Sequence, residues 1–217
     1  MTISKVGIVG SGIMGSGIAE VAAKSGHEVV LRSRKQATAD AMVAGLEKSL
    51  AKQVEKGRLS EEDRDATLAR VRATDHIGDL ADCDLVIESV VEDLDVKKGL
   101  FAELDGVVKA GAILATNTST LPVVEMAVAT GRPDRVVGVH FFNPAPMMSL
   151  VEIVAPLTAS EDTVEAVTAF ATACGKEPVQ VKDRAGFIVN ALLFPYLNNA
   201  VRMLENGTDD RDDIDTA

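Results

Sequence analysis

The stretch VGIVGSGIMGSGIAE, residues 6–20, constrains the fold more than any other part of the chain. An apolar run ends on Gly10, and Gly12 and Gly15 complete G-x-G-x-x-G before a helix-period segment that closes at Gly26. In a strand–turn–helix unit the first glycine permits a tight turn. The second lets backbone approach a pyrophosphate, and the third allows helix to pack closely on strand. The first-turn amides, those of Ile13 and Met14 included, then hold phosphate with the help of the helix dipole. The motif therefore predicts a dinucleotide-binding βαβ start.

The remaining pattern agrees. KVGIVG, HEVVLRS, DLVIES, AILATNTS and RVVGVHFF read as strands, with further short runs at Leu150–Val154 and Pro178–Val181. Strands alternating with helical segments predict an α/β, Rossmann-like, doubly wound and mainly parallel sheet. From about Ala37 to Arg72 the sequence predicts two charged helices broken at Gly57, the second capped by Ser60. GFIVNALLFPYLNNAVRMLENG is apolar at helical spacing on more than one side, so it calls for a partner helix. TDDRDDIDTA reads as the acidic start of another helix. These boundaries place a dinucleotide-binding domain at 1–183 and the beginning of an all-helical domain, expected to continue past Ala217, at 184–217.

The end of the second strand bears on which dinucleotide is bound. An NAD site expects Asp or Glu there for the ribose 2′-hydroxyl. In VVLRS the position is Ser33, flanked by Arg32 and Arg34. A small hydroxyl residue between guanidiniums suits a 2′-phosphate, which a carboxylate would repel. NADP(H) is therefore expected, with NAD(H) as the alternative, and strand alternation predicts that one of the two arginines faces the ligand. Charge agrees with a local anionic ligand: residues 1–58 hold nine Lys/Arg against five Asp/Glu, although the whole chain is at −11. That overall balance argues against nucleic acid or an anionic membrane as partner. Cys83 and Cys174 lack metal-like spacing, so no metal site is expected, and no secretory or membrane-spanning segment is legible, which predicts a cytoplasmic protein.

The motifs that speak of chemistry are ATNTSTLP (115–122), GVHFFNPAPMMSLVEIV (138–154), DRAGFIVNALLFPYL (183–197) and VIESVVEDLDVKKGLFAELD (86–105). In these the chain resembles the 3-hydroxyacyl-CoA dehydrogenases, most nearly the bacterial 3-hydroxybutyryl-CoA type, from Lys5 to its end. The resemblance implies oxidation of a short 3-hydroxyacyl-CoA to the 3-oxoacyl-CoA, or the reverse reduction, with a nicotinamide cofactor. It also implies a homodimer if the helical domain is complete.

Removing a hydroxyl proton as hydride departs suits a histidine, whose ordinary pKa is near neutrality. Of three histidines, His27 and His76 read as surface residues, and His140 ends a strand on the side where open α/β sheets bind ligands. Glu152, in the apolar run LVEIV, would orient and stabilise the imidazole as the family's His–Glu pair does. The resemblance further implies that Ser119 and Asn190 hold the substrate's reacting oxygen. It places Glu92 and Lys97 near the nicotinamide ribose, Asn117 and Asn143 along the nicotinamide pocket, and Ser49 and Lys56 at coenzyme A. Thr120 departs from the family's usual NTSS. Lys48, Lys52 and Lys56 recur at i, i+4, which fits either a phosphate contact or a solvated helix face. Two other functions remain compatible with the sequence. One is a dehydrogenase of acyl-carrier-protein thioesters, which would need a broad basic face; the other is an inactive structural or binding relative.

Overall fold

The computed structural model describes residues 2–217. β1 (Lys5–Val9), β2 (Glu28–Arg32), β3 (Val71–Thr74), β4 (Leu85–Glu88), β5 (Ile113–Thr116), β6 (Val136–Phe141), β7 (Leu150–Ala155) and β8 (Glu177–Lys182) form one sheet. Their order is β3-β2-β1-β4-β5-β6-β7-β8. Every pairing is parallel except β6 with β7, which is antiparallel.

Alternate residues of the strands serve two cores. Val6, Ile8, Leu31, Leu85, Ile87, Ile113 and Val139 join Ile18 and Ala19 of α1 (Ile13–Lys24) and Val167 and Phe170 of α6 (Glu161–Ala173). On the other face Val30, Val86, Leu114, Val136 and Val154 join Phe101 and Leu104 of α4 (Leu94–Val107) and Val123 and Met126 of α5 (Val123–Ala127). A sheet covered on both sides explains why the strands are almost wholly apolar.

α2 (Gln36–Glu55) and α3 (Glu61–Ala69) are the two predicted charged helices, and the Ser60 hydroxyl accepts the Asp63 amide at 3.0 Å. The predicted helix ran to Arg72, but Val71–Thr74 are β3. This edge strand buries only Thr74, so no hydrophobic alternation marks it. α7 (Val189–Glu205) follows Gly186 and Phe187, whose positive φ of 77° and 49° turn the chain before the helix begins. None of its residues is buried, in keeping with a helix whose apolar sides call for a partner, and α8 (Arg211–Thr216) is capped by Asp210. No helix among the described residues is long and apolar enough to cross a membrane.

Candidate active site

The β1–α1 turn has the geometry that the three glycines predict. Gly10 sits at φ 134°, and a Cβ there would overlap the Ser89 carbonyl; one on Gly15 would overlap the Gly10 carbonyl. Gly12 opens into free space, so its backbone can meet a ligand directly. It is also the N-cap of α1, with no side-chain hydrogen bond and no acid in the first turn. The helix thus keeps its amide ends, at Ile13 and Met14, for an anion.

Beside this turn lies a cavity of about 750 Å³ lined by Gly10, Gly12, Arg32, Ser33, Arg34 and Ser89. Its volume is in the range of ligand sites. Both arginines line it, whereas alternation predicted one. β2 ends at Arg32, so Arg34 lies beyond the strand and the alternation rule does not reach it. Arg32 Nε is buried without a hydrogen-bond partner, and neither arginine pairs with a carboxylate among the described residues. The acids bordering the cavity, Asp95 and Glu103, come from α4. A cradle that side chains would fill, an uncapped helix and an orphaned guanidinium together fit a dinucleotide.

His140 and Glu152 face one another across the β6–β7 ladder. Nδ1 of His140 lies 2.8 Å from Glu152 Oε2, and the two residues are 5% and 1% exposed. The carboxylate's other oxygen accepts the amides of Ile188 and Val189 at 2.9 and 3.0 Å, where α7 begins. One buried carboxylate thus ties the imidazole to the helical segment. The ring also packs against Phe142 and Phe187, with centroids 4.4 and 5.5 Å away. In a neutral imidazole that donates from Nδ1 to the carboxylate, Nε2 is left as the acceptor, and it has no hydrogen-bond partner among the described residues.

Asn190 stands one residue into α7, and its amide donates to the Ser119 carbonyl at 3.2 Å, so these two predicted substrate contacts come together. Glu92 Oε1 accepts the Ser119 amide at 2.9 Å, the Ser119 hydroxyl at 3.3 Å and the Thr118 hydroxyl at 2.5 Å. Burial pushes the Glu92 carboxyl up, but those bonds and the Lys97 charge outweigh it and hold the group below its ordinary value. Asn117 Oδ1 accepts the Phe141 amide at 2.8 Å, which binds the end of β5 to the strand bearing His140. Asn143 lies exposed in the loop after β6. Lys97 is 1% exposed, its ammonium enclosed between Glu88 and Glu92 rather than presented to a ligand.

Ser49 and Lys56 stand apart from this group on α2. Ser49 donates to the buried Glu20 of α1 at 3.1 Å, while Lys48, Lys52 and Lys56 are exposed. His27, expected at the surface, is half-buried against Phe170 with centroids 5.0 Å apart, and burial lowers its pKa. His76 is exposed beside Asp75. Sequence reasoning assigned no role to Glu88, which is wholly buried; a glutamate closing an apolar strand reads as a solvent-facing end.

Residues 5–184 match the family described as 3-hydroxyacyl-CoA dehydrogenase, NAD binding domain, and residues 186–217 match its C-terminal domain. A 3-hydroxybutyryl-CoA dehydrogenase of Mycobacterium tuberculosis is 47% identical over 217 residues, covering 99% of this chain and 76% of that protein. One from Clostridioides difficile is 43% identical, covering 98% and 76%. Among solved structures, (S)-3-hydroxybutyryl-CoA dehydrogenase PaaH1 from Ralstonia eutropha superposes with a TM-score of 0.96 at 39% identity, covering 98% of this chain and 75% of that one. M. tuberculosis FadB2 gives 0.94 at 46% identity, covering 98% and 75%.

Proposed function

The chain belongs to the 3-hydroxyacyl-CoA dehydrogenase family, and from that premise we propose that it interconverts a short 3-hydroxyacyl-CoA of the 3-hydroxybutyryl type and its 3-oxoacyl-CoA, preferring NADP(H). The His140–Glu152 couple, at the carboxyl end of the parallel strands, carries the reading. Bound nicotinamide dinucleotide supplies the hydride acceptor or donor.

In oxidation His140 Nε2 takes the hydroxyl proton of the substrate while its C3 hydride leaves; in reduction the imidazolium returns that proton to the carbonyl oxygen. Glu152 keeps the proton on Nδ1, leaving Nε2 free, and its negative charge stabilises the imidazolium that forms. The Ser119 hydroxyl and the Asn190 amide, joined through the Ser119 carbonyl, hold the reacting oxygen. Gly10, Gly12 and Gly15 leave room for the pyrophosphate on the amides of Ile13 and Met14. Glu92, Asn117 and Asn143 border the nicotinamide side, and Ser49 and Lys56 serve the coenzyme A portion.

Preference for NADP(H) is supported by Arg32 and Arg34 lining the cavity on either side of Ser33, with a buried Arg32 Nε left unpartnered. A preference for NADPH would make reduction of acetoacetyl-CoA the working direction, in the cytoplasm. Exposed Leu192, Phe194, Leu197 and Val201 on α7 support a homodimer, since a second copy would cover them.

The test is oxidation of NADPH dependent on acetoacetyl-CoA, followed by absorbance. His140→Gln is expected to abolish turnover while cofactor affinity stays within about threefold, because only the proton carrier is removed. Retained turnover excludes His140 as the proton carrier, and a kcat/KM favouring NADH excludes the proposed cofactor preference.

A further inference from the structure

A second buried ionic group lies beneath Ser119. Glu88, the last residue of β4, has no exposed surface, and Lys97 of α4 is 1% exposed. Lys97 Nζ lies 2.6 Å from Glu88 Oε1 and 3.2 Å from Glu92 Oε2. The Glu88 carboxylate is satisfied further by the Val90 amide at 2.6 Å and the Thr116 hydroxyl at 2.7 Å. Its own backbone carbonyl accepts the Asn117 amide at 2.8 Å.

The contacts form one continuous line. The ends of β4 and β5 fix Glu88, Glu88 fixes the ammonium, the ammonium fixes Glu92, and Glu92 holds Ser119 by both its amide and its hydroxyl. Glu92 is the only member with substantial exposure, its side chain being 39% accessible. A glutamate that open to water would ordinarily sample several rotamers. Here a buried cation on one oxygen and Thr118 and Ser119 on the other restrict it. Salt bridges this enclosed contribute little net stability, because desolvation offsets the attraction, whereas geometric specification is a use they can serve.

We propose that Glu88 and Lys97 are positioning residues, a buried ion pair that anchors Glu92 and through it sets the Ser119 hydroxyl at the height the substrate oxygen requires. The assignment rests on reading Ser119 as a substrate contact. Lys97 acts from beneath the site, through Glu92.

Lys97→Met alone leaves Glu88 charged and unpaired in the interior, so it is compared with Glu88→Gln/Lys97→Met, which removes both charges together. The double variant is expected to keep its thermal midpoint close to wild type, and its turnover is read at saturating NADPH. Its kcat for acetoacetyl-CoA should fall about 10- to 100-fold, the scale of a small misplacement of a reacting group. Amide exchange at Ser119 should quicken about tenfold as the Glu92 acceptor is released. A merely structural ion pair would be rescued by the double change, so wild-type kcat with wild-type protection at Ser119 overturns the proposal. Glu92→Ala, at a half-open position, removes the acceptor itself while the Glu88–Lys97 contact remains: it should reproduce both the exchange and the kcat effects, and leaving both unchanged also overturns the proposal. Should the unmodified chain turn over no acyl-CoA, the functional reading fails, and exchange at Ser119 in the double variant still decides the positioning claim.

Discussion

Replacing Glu152 by glutamine separates the two tasks of that carboxylate. In the native site one oxygen meets His140 Nδ1 at 2.8 Å and the other accepts the Ile188 and Val189 amides at 2.9 and 3.0 Å. A glutamine has one acceptor oxygen, so it must choose. With its NH2 turned to α7, donor would face donor, and two half-buried amides would lose their partner at about 1–3 kcal/mol each. With its oxygen on α7, only the charge assistance of those bonds is lost, about 1 kcal/mol in all. The second orientation wins, and it points an N–H at His140 Nδ1. The imidazole must then carry its proton on Nε2, the atom that has to receive one. Nor does a formal charge remain to stabilise the imidazolium. The corresponding carboxylate-to-amide change in a Ser–His–Asp triad lowers kcat about 10⁴-fold. A loss of about 10³ to 10⁴ is expected here, equal to about 4 to 5.5 kcal/mol of barrier. Steady-state reduction of acetoacetyl-CoA measures it, fluorescence titration confirms that cofactor still binds, and nitrogen NMR reads the tautomer. A Glu152→Gln enzyme within about tenfold of wild type, or one that keeps its proton on Nδ1, would refute the reasoning. Glu152→Ala differs in kind. It strands three donors at once and should cost about 3–5 kcal/mol of folding stability, read in urea.

Three further outcomes are expected. Ser33→Asp sets a carboxylate between Arg32 and Arg34 and should lower the NADPH-to-NADH ratio of kcat/KM by about 10- to 100-fold, the worth of one or two charge-assisted bonds, as paired kinetics will show. Asp84 is buried, and although burial pushes its carboxyl up, the Lys109 ammonium, the Lys5 and Ser4 amides and the Ser4 hydroxyl hold it well below the usual carboxylate range. Its contribution, about 2 kcal/mol, is therefore complete above the unfolded value of about 4 and is lost as pH falls from there toward the folded value; Asp84→Asn should flatten the acid limb of stability against pH in urea melts. Lys176 donates to the carbonyls of Ala145 and Met148 at 2.7 and 2.8 Å, so Lys176→Met leaves both short of a partner and should cost about 2 kcal/mol in thermal unfolding, with faster amide exchange in the loop after β6.

What the sequence makes legible follows from periodicity and from residues whose chemistry is local. The glycine turn, the apolar strands and the Ser60 cap are of this kind, because each is decided within a few residues of itself. β3 escapes because Val71–Thr74 pairs on one side only and buries little. Both arginines reach the cavity since the strand that would impose alternation has already ended at Arg32. His140 and Glu152 are recognisable as a couple, yet the cause of their meeting is the antiparallel register of β6 and β7, which no hydrophobic period encodes. Glu88 and Lys97 are nine residues apart and meet only after the chain has turned from strand into helix. Phe101 and Leu104, wholly enclosed in the second core, lie on the same helix as Lys97.

The reversal of β7 also separates what must stay constant from what can vary. Ladder bonds between Gly138–Phe141 and Val151–Val154 keep imidazole and carboxylate level, with Phe142 packed on the ring, so the hairpin tip at residues 144–149 lies outside that register. Changes within 144–149 therefore leave the pairing of the two strands beneath them, and with it the His140–Glu152 contact, in place.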